Sequence, residues 1–310
     1  MGRRTFIIDC DTGTDDAIAI IAALYSKDME VVALTSVNGN VAHQYTSKNN
    51  LNLVEYLKAD QVLVAKGAEI PLYPRGNYYG TTHGQTGLGT ITLPEAKIRT
   101  FCEDNAIEMI RKEAKKQKGN LELLVIGPMT NIAMAISLYP EIISEIKHIW
   151  FMGGAVRGGN VTTTAEFNIW VDPVAAKIVI NSGIPMTMVG LDVTERAILN
   201  RDDEQRVRKA GTKASILVAD ILEYMFSRHS EGGEDAMMHD ALALAAAIYP
   251  ECLTCIDYYV DVECEGVYTA GHTMVDVRGK LGKKPNVSVA VDLDINKFKE
   301  WLIGCIESSV

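Results

Sequence analysis

The chain has no uninterrupted run of about 18 apolar residues, the length at which a helix is read as crossing a bilayer, so no membrane partner is expected. An excess of Lys and Arg is also missing. Thirty basic residues face 40 acidic ones, and the resulting net charge of −10 argues against a nucleic-acid partner. A neutral small molecule or a cation remains open. The cysteines (Cys10, Cys102, Cys252, Cys255, Cys264, Cys305) lack the spacing of a disulfide framework. Cys252-x-x-Cys255 has no second ligand pair and is read as structural rather than as a zinc or redox site. Export and lipid signals fail on the letters. Asp9, Asp11, Asp15 and Asp16 interrupt the apolar region that a leader after Arg3-Arg4 would need. Phe6 stands where a myristoylation motif wants Ser or Thr. A reduced, cytoplasmic protein is the expectation. No fixed-period repeat or Pro/Ser-rich linker divides the 310 residues, and 47% hydrophobic with 23% charged residues is ordinary for a globular chain.

What is present is concentrated near the start. Phe6 to Ile20 reads FIIDCDTGTDDAIAI: the short apolar strand Thr5–Ile8, then four carboxylates within eight residues, then a helix. Acids at the C-terminal end of a parallel-type strand sit where open α/β sheets bind ligands. Side chains so close repel one another unless a positive group lies between them. A hard divalent cation, which prefers oxygen donors, is the natural candidate.

Beyond this stretch strands and helices alternate. Val31–Val37, Gln61–Ala65, Leu121–Ile126, Ile149–Met152 and Met186–Val189 read as strands, and Leu121–Ile126 is apolar throughout, as a strand buried on both faces should be. Val41–Leu57, Glu103–Lys118, Thr130–Leu138, Pro173–Asn181, Asp240–Ile248 and Ile295–Ile306 read as helices. Tyr258–Val262, Thr273–Val277 and Val287–Val291 are β-rich. About 70–90 the chain carries five glycines without apolar periodicity, a candidate flexible loop over a site. About 200–250 it makes a helical excursion. The pattern predicts one α/β domain over residues 1–310, a mostly parallel open sheet flanked by helices.

Any single acid here is explained by helix capping: Asp15 or Asp16 before the first helix, Asp240 before Ala241–Ile248, and likewise the Thr130 hydroxyl. Four acids in one loop are not, because one cap uses one side chain. An EF-hand loop counted from Asp9 fails at Gly13 and Thr14. An aspartyl-phosphate phosphohydrolase with Asp9 as nucleophile finds Gly13 where Thr or Val is needed, and stays as the weaker enzymatic alternative. A calcium- or sugar-binding protein without turnover is the non-enzymatic one, and it gives His239 no purpose.

Asp9-Cys10-Asp11-Thr12-Gly13-Thr14-Asp15-Asp16-Ala17 resembles the N-terminal signature of the inosine–uridine-preferring nucleoside hydrolases. Val37-Asn38-Gly39-Asn40, Gly127-Pro128-Met129-Thr130-Asn131, Met152-Gly153-Gly154, Gly159-Asn160-Val161-Thr162, Ala165-Glu166-Phe167-Asn168 and Met238-His239-Asp240 are similar to further blocks of that family, in family order. The resemblance implies one calcium ion held by Asp11, Asp16, the Thr130 carbonyl and Asp240, and Asp11 as the base that activates a water. It further implies Asp15, Asn40 and Asn168 on the 2′ and 3′ hydroxyls of ribose, Asn160 and Glu166 on the 5′ hydroxyl, and Met152 lining the sugar pocket. His239 would protonate the leaving base, and its presence leans toward the broad or pyrimidine-accepting branch. His83 is either a flap residue over the nucleobase or an exposed loop histidine. Tyr224 and His229 lie near the segment that faces the base in relatives, whereas His43, His148 and His272 are read as structural. A homo-oligomer, dimer or tetramer, is implied. Thr12, Thr14 and Ala241 depart from the family's usual Pro, Leu or Ile, and Pro, and none removes an oxygen ligand.

Overall fold

In the strand Arg4–Cys10 (β1), Phe6, Ile8 and Cys10 join one buried cluster while Ile7 joins another, the alternation that a pleated strand imposes. Two apolar layers on opposite faces of one sheet follow from that pattern. The computed structural model describes residues 2–74, 80, 82–228, 233 and 235–309. The further strands are β2 (Met29–Ser36), β3 (Leu63–Lys66), β4 (Leu121–Val125), β5 (Ile146–Met152), β6 (Met186–Val189), β7 (Ile198–Leu199), β8 (Ala236–Met237), β9 (Leu253–Tyr258), β10 (Val260–Val262), β11 (Thr273–Val275) and β12 (Val287–Leu293).

Eight of them form the main sheet in the order β3-β2-β1-β4-β5-β6-β12-β9. Every pairing in it is parallel except that of β9 with β12. This α/β sheet is the expected one. The helices are α1 (Thr14–Tyr25), α2 (His43–Tyr56), α3 (Ala106–Gln117), α4 (Thr130–Leu138), α5 (Phe167–Val171), α6 (Pro173–Ile180), α7 (Leu191–Thr194), α8 (Arg201–Lys209), α9 (Lys213–Ser227), α10 (His239–Ile248) and α11 (Ile295–Glu307). Apolar residues of α1, α2, α9, α10 and α11 cover one face, and those of α3, α4 and α6 the other. Alanine-rich α10 is buried from Asp240 to Ala247, because small side chains let it lie between α1 and the sheet. Ile18 and Leu242 are fully buried there, and truncating either to Ala costs about 2–5 kcal/mol.

Some expectations shift. The strand read at Tyr258–Val262 is the junction of two: β9 pairs with β12, and β10 pairs with β11. The helical excursion contains α8 and α9 and also a short β7–β8 ladder that the letters did not announce. Of the long loop, residues 75–79 and 81 lie outside the described residues, as do His229 and most of Ser230–Asp235. Among the described residues no helix is long and apolar enough to cross a membrane.

Candidate active site

Parallel strands deliver their C-terminal ends to one edge, and the strand order reverses between β1 and β4. A crevice opens at such a switch point. Here it is a cavity of about 430 Å³. Asp15, Asn40, His83, Met152, Asn160, Glu166, Asn168, His239 and Asp240 all line it, so nine residues picked from the sequence converge. Asp11, Asp16 and Thr130 are buried and are not among its lining residues.

Asp15, Asp16 and Asp240 each bring a carboxylate oxygen within 4.8 Å of the others. Asp16 is in side-chain contact with Asp11 as well as with Asp240. At an effective dielectric of about 20, each such like-charged pair costs on the order of 3–4 kcal/mol. Burial first, and then Asp15, pushes Asp16 up to about 7. Burial followed by the neighbouring charges raises Asp11 and Asp240 well above the carboxylate range. One oxygen of Asp11 and one of Asp16 are buried without a partner. The other oxygens are tied down. The Asn40 N–H donates to Asp11 Oδ2 at 2.7 Å, and the Asn40 side-chain amide donates to Asp16 Oδ2 at 3.0 Å. Asp16 Oδ2 also accepts the Gly13 N–H at 2.9 Å, so the capping role expected of Asp15 or Asp16 is met by one oxygen of Asp16. Thr130 does not cap α4, since its hydroxyl donates to Asp172 at 2.7 Å. An all-oxygen donor set with orphaned anionic atoms fits a hard divalent cation.

Two residues given no role from the sequence hold this floor. Asn131 donates to Asp9 Oδ2 at 2.8 Å and to the Ser36 carbonyl at 3.0 Å, and accepts the Ala68 N–H at 2.8 Å. One amide thus joins the ends of β1 and β2 and the loop after β3. Asp172 accepts from Thr130, from the Leu72 N–H at 2.7 Å and from the Ala175 N–H at 3.0 Å. Its signal was readable as an N-cap before Pro173. Gly39 is required by proximity: a Cβ there would land on the Asp11 carboxylate.

On another wall, Glu166 caps α5, with Oε1 accepting from Asn168 N–H at 2.9 Å and Oε2 from the Gly154 and Ile169 N–H groups at 2.9 and 3.1 Å. Burial nevertheless holds its carboxyl up at about 7. The Asn168 amide nitrogen donates to the carbonyls of Ile126 and Met152, ending β4 and β5, which leaves its oxygen as the group it offers. Asn160 uses its oxygen on the Phe167 N–H at 2.9 Å, leaving its amide hydrogens.

The histidines stand together with Asp15. His83 Nδ1 lies 3.8 Å from Asp15, and burial lowers the ring's pKa to about 4. His83 is therefore no exposed loop residue. His239 Nδ1 meets the Thr194 hydroxyl at 2.8 Å, and burial lowers its pKa while Asp15 opposes the shift. Arg228, which no motif singled out, lines the cavity and donates to the Thr82 carbonyl at 2.6 Å. Tyr224 lies against Gly89 and beside Arg228 and is not among the lining residues. His43, His148 and His272 are occupied elsewhere, by Ser36, Thr187 and the Thr164 carbonyl.

Comparison with known proteins points to one family. The family model of the inosine-uridine preferring nucleoside hydrolases matches residues 6–300. A pyrimidine-specific ribonucleoside hydrolase, RihA of Escherichia coli O1:K1, is 40% identical over 301 residues, 96% of each chain. Among solved structures, a plant nucleoside hydrolase superposes with a TM-score of 0.92 at 27% identity over 98% of both chains. The purine-preferring ribonucleoside hydrolase of Gardnerella vaginalis does so with 0.89 at 33% identity, covering 98% of this chain and 99% of that one.

Proposed function

The chain belongs to the inosine-uridine preferring nucleoside hydrolase family and is a ribonucleoside hydrolase, and we propose that Asp11 serves as its general base and His239 as its general acid. The observation that carries this reading is the pair of orphaned, buried oxygens on Asp11 and Asp16, set behind a cavity that holds Asp15, Asp240 and two histidines.

Asp11, Asp16, Asp240 and the Thr130 carbonyl would hold a calcium ion, to which they offer only oxygen. When bound, the ion supplies Lewis acidity that makes water a stronger acid. Asp11, oriented by the Asn40 N–H, takes the proton from the attacking water. The water oxygen bonds to the anomeric carbon as the C–N bond breaks, and its electron pair leaves with the base. Positive charge grows on the sugar in an oxocarbenium-like transition state, which the acidic floor stabilises. Asp15, Asn40 and the Asn168 oxygen bind the 2′ and 3′ hydroxyls, the Asn160 amide and Glu166 bind the 5′ hydroxyl, and Met152 packs on the sugar. His239 protonates the departing base. Its Nδ1 is engaged by Thr194, so Nε2 is the atom that serves.

Uridine and cytidine are the substrates to expect first, in keeping with the RihA relatives named as pyrimidine-specific. The same reading carries a homo-oligomer, dimer or tetramer, and a cytoplasmic location, which the six free thiols fit. A phosphohydrolase working through Asp9 is disfavoured. That carboxylate is fully buried, lies outside both the cavity lining and the Asp15–Asp16–Asp240 cluster, and has Oδ2 taken by Thr35 and Asn131, while its Oδ1 is without a partner. The test is ribose release from uridine, cytidine, inosine and adenosine, before and after prolonged chelation. Release that chelation abolishes and calcium restores is expected. A folded, calcium-loaded protein that frees no ribose would sink the reading.

A further inference from the structure

Thr14 opens α1, and its backbone N–H is one of the donors that a helix start leaves without an internal partner. That N–H points at Nδ1 of His83, 3.1 Å away, and the Thr14 hydroxyl lies 2.9 Å from the same nitrogen. A backbone N–H can only donate. His83 Nδ1 must therefore be the acceptor, which places the ring's proton on Nε2. The positive end of α1 favours the same form, since it opposes a proton on Nδ1.

The ring can come this close because residue 13 is glycine. A Cβ there would stand 2.5 Å from Nδ1 and 2.9 Å from Cγ of His83. The Nδ1 edge thus lies on the Gly13-Thr14 backbone, and the Nε2 edge is the one turned away from it, on a side chain that lines the cavity. The backbone bearing the ring is pinned as well. Gly89 donates to the His83 carbonyl at 2.9 Å, and Arg228 to the Thr82 carbonyl.

We propose that Thr14 is a positioning residue: its N–H fixes the tautomer of His83 and its hydroxyl steadies the ring, so that a fixed Nε2–H donor is presented to an acceptor atom of the nucleobase. The nature of that acceptor rests on the nucleoside hydrolase reading, whereas the tautomer does not. The arrangement divides the work between the two histidines. With Nδ1 held on the Thr14 N–H, His83 offers the base an Nε2–H donor, and protonation of the leaving base stays with His239 as proposed above.

The experiment is a proton–nitrogen correlation spectrum of histidine side chains in the 15N-labelled protein, with His83 assigned by the His83→Asn variant. The wild type is expected to show the Nε2–H tautomer alone at His83. Thr14→Val, which keeps the backbone N–H and loses the hydroxyl, should keep the Nε2–H tautomer but broaden the His83 signals as the ring loosens, and Thr14→Ser should sharpen them again. In parallel, Thr14→Val should raise KM for uridine roughly threefold to tenfold, the size of one neutral hydrogen bond, with Ki for free ribose unchanged. An Nδ1–H or averaged pattern in the wild type overturns the proposal. Unchanged His83 signals and unchanged KM in Thr14→Val overturn the positioning role. A locked tautomer in a protein that cleaves no nucleoside would refute the hydrolase reading and its nucleobase acceptor, and leave the Thr14–His83 contact standing.

Discussion

The backbone N–H of Asn40 lies 2.7 Å from Oδ2 of Asp11, while Oδ1 of the same carboxylate is buried without a partner. The loop after β2 thus aims an acid that follows β1, and it leaves one oxygen to chemistry. Asp11→Asn keeps the shape and removes the charge. It should lower kcat by at least about 10³-fold, since both base and ligand are lost. The metal-free variant should melt higher than the wild type, because the cost of holding a buried carboxyl protonated is gone. Steady-state kinetics and calorimetry without calcium check the two halves separately.

Removal of metal should make stability depend on pH with a defined sign. Burial holds Asp16 and Glu166 up at about 7 in the folded chain, against about 4 for an unfolded carboxylate. Between those values the folded state binds more protons than the unfolded state. Their contribution is therefore fully present below about pH 4 and is lost as pH rises through about 7. The chelated protein should show a melting temperature that falls from pH 5 to pH 8. Calcium should stabilise increasingly over the same interval, because the ligands must be ionised to bind it. A flat profile in chelator would contradict the buried-acid account.

Asn131 is expected to matter for stability more than its position at the edge of a helix suggests. Asn131→Ala frees the Ser36 carbonyl, the Ala68 N–H and one acceptor bond of Asp9 at once, all of them inside the fold. A loss of about 2–4 kcal/mol in urea unfolding is expected.

His239→Gln separates acid catalysis from the rest of the reaction. Uridine hydrolysis should fall by about 10²–10⁴-fold, the usual worth of a positioned acid. A p-nitrophenyl riboside, whose leaving group departs without a proton, should lose less than about tenfold by the same reasoning. Equal losses on both substrates would assign His239 to binding.

The central strands and the acid loop were legible because their signals are local. β1 and β4 are apolar runs buried on both faces, and Asp172-Pro173 marks the start of α6 in two letters. β9 leaves no signal in the letters because it is an edge strand with four consecutive exposed residues, so Thr254-Cys255-Ile256-Asp257 shows no alternation. The roles of Asn131 and Thr130 depend on partners far along the chain: Asp9 lies 122 residues from Asn131, and Asp172 lies 42 from Thr130. Spacing cannot report such pairs. The Thr130 hydroxyl does not make the cap that its place in the sequence suggests, because in isolation any Thr before a helix offers one. Arg228 at the end of α9 reads like any solvated charge until the fold sets it beside Thr82.

The place of β12 within the sheet bears on synthesis as well as on architecture. This strand, among the last in the sequence, is interior, between β6 and β9. A nascent chain released up to residue 286 would already have made every side chain of the proposed site, yet its sheet would carry an open edge at β6 and leave β9 without its partner. Exposed strand edges of that kind invite pairing with other chains. The emerging polypeptide should therefore be most vulnerable to aggregation just before β12 arrives, and catalytic competence should appear only as that strand slots into place.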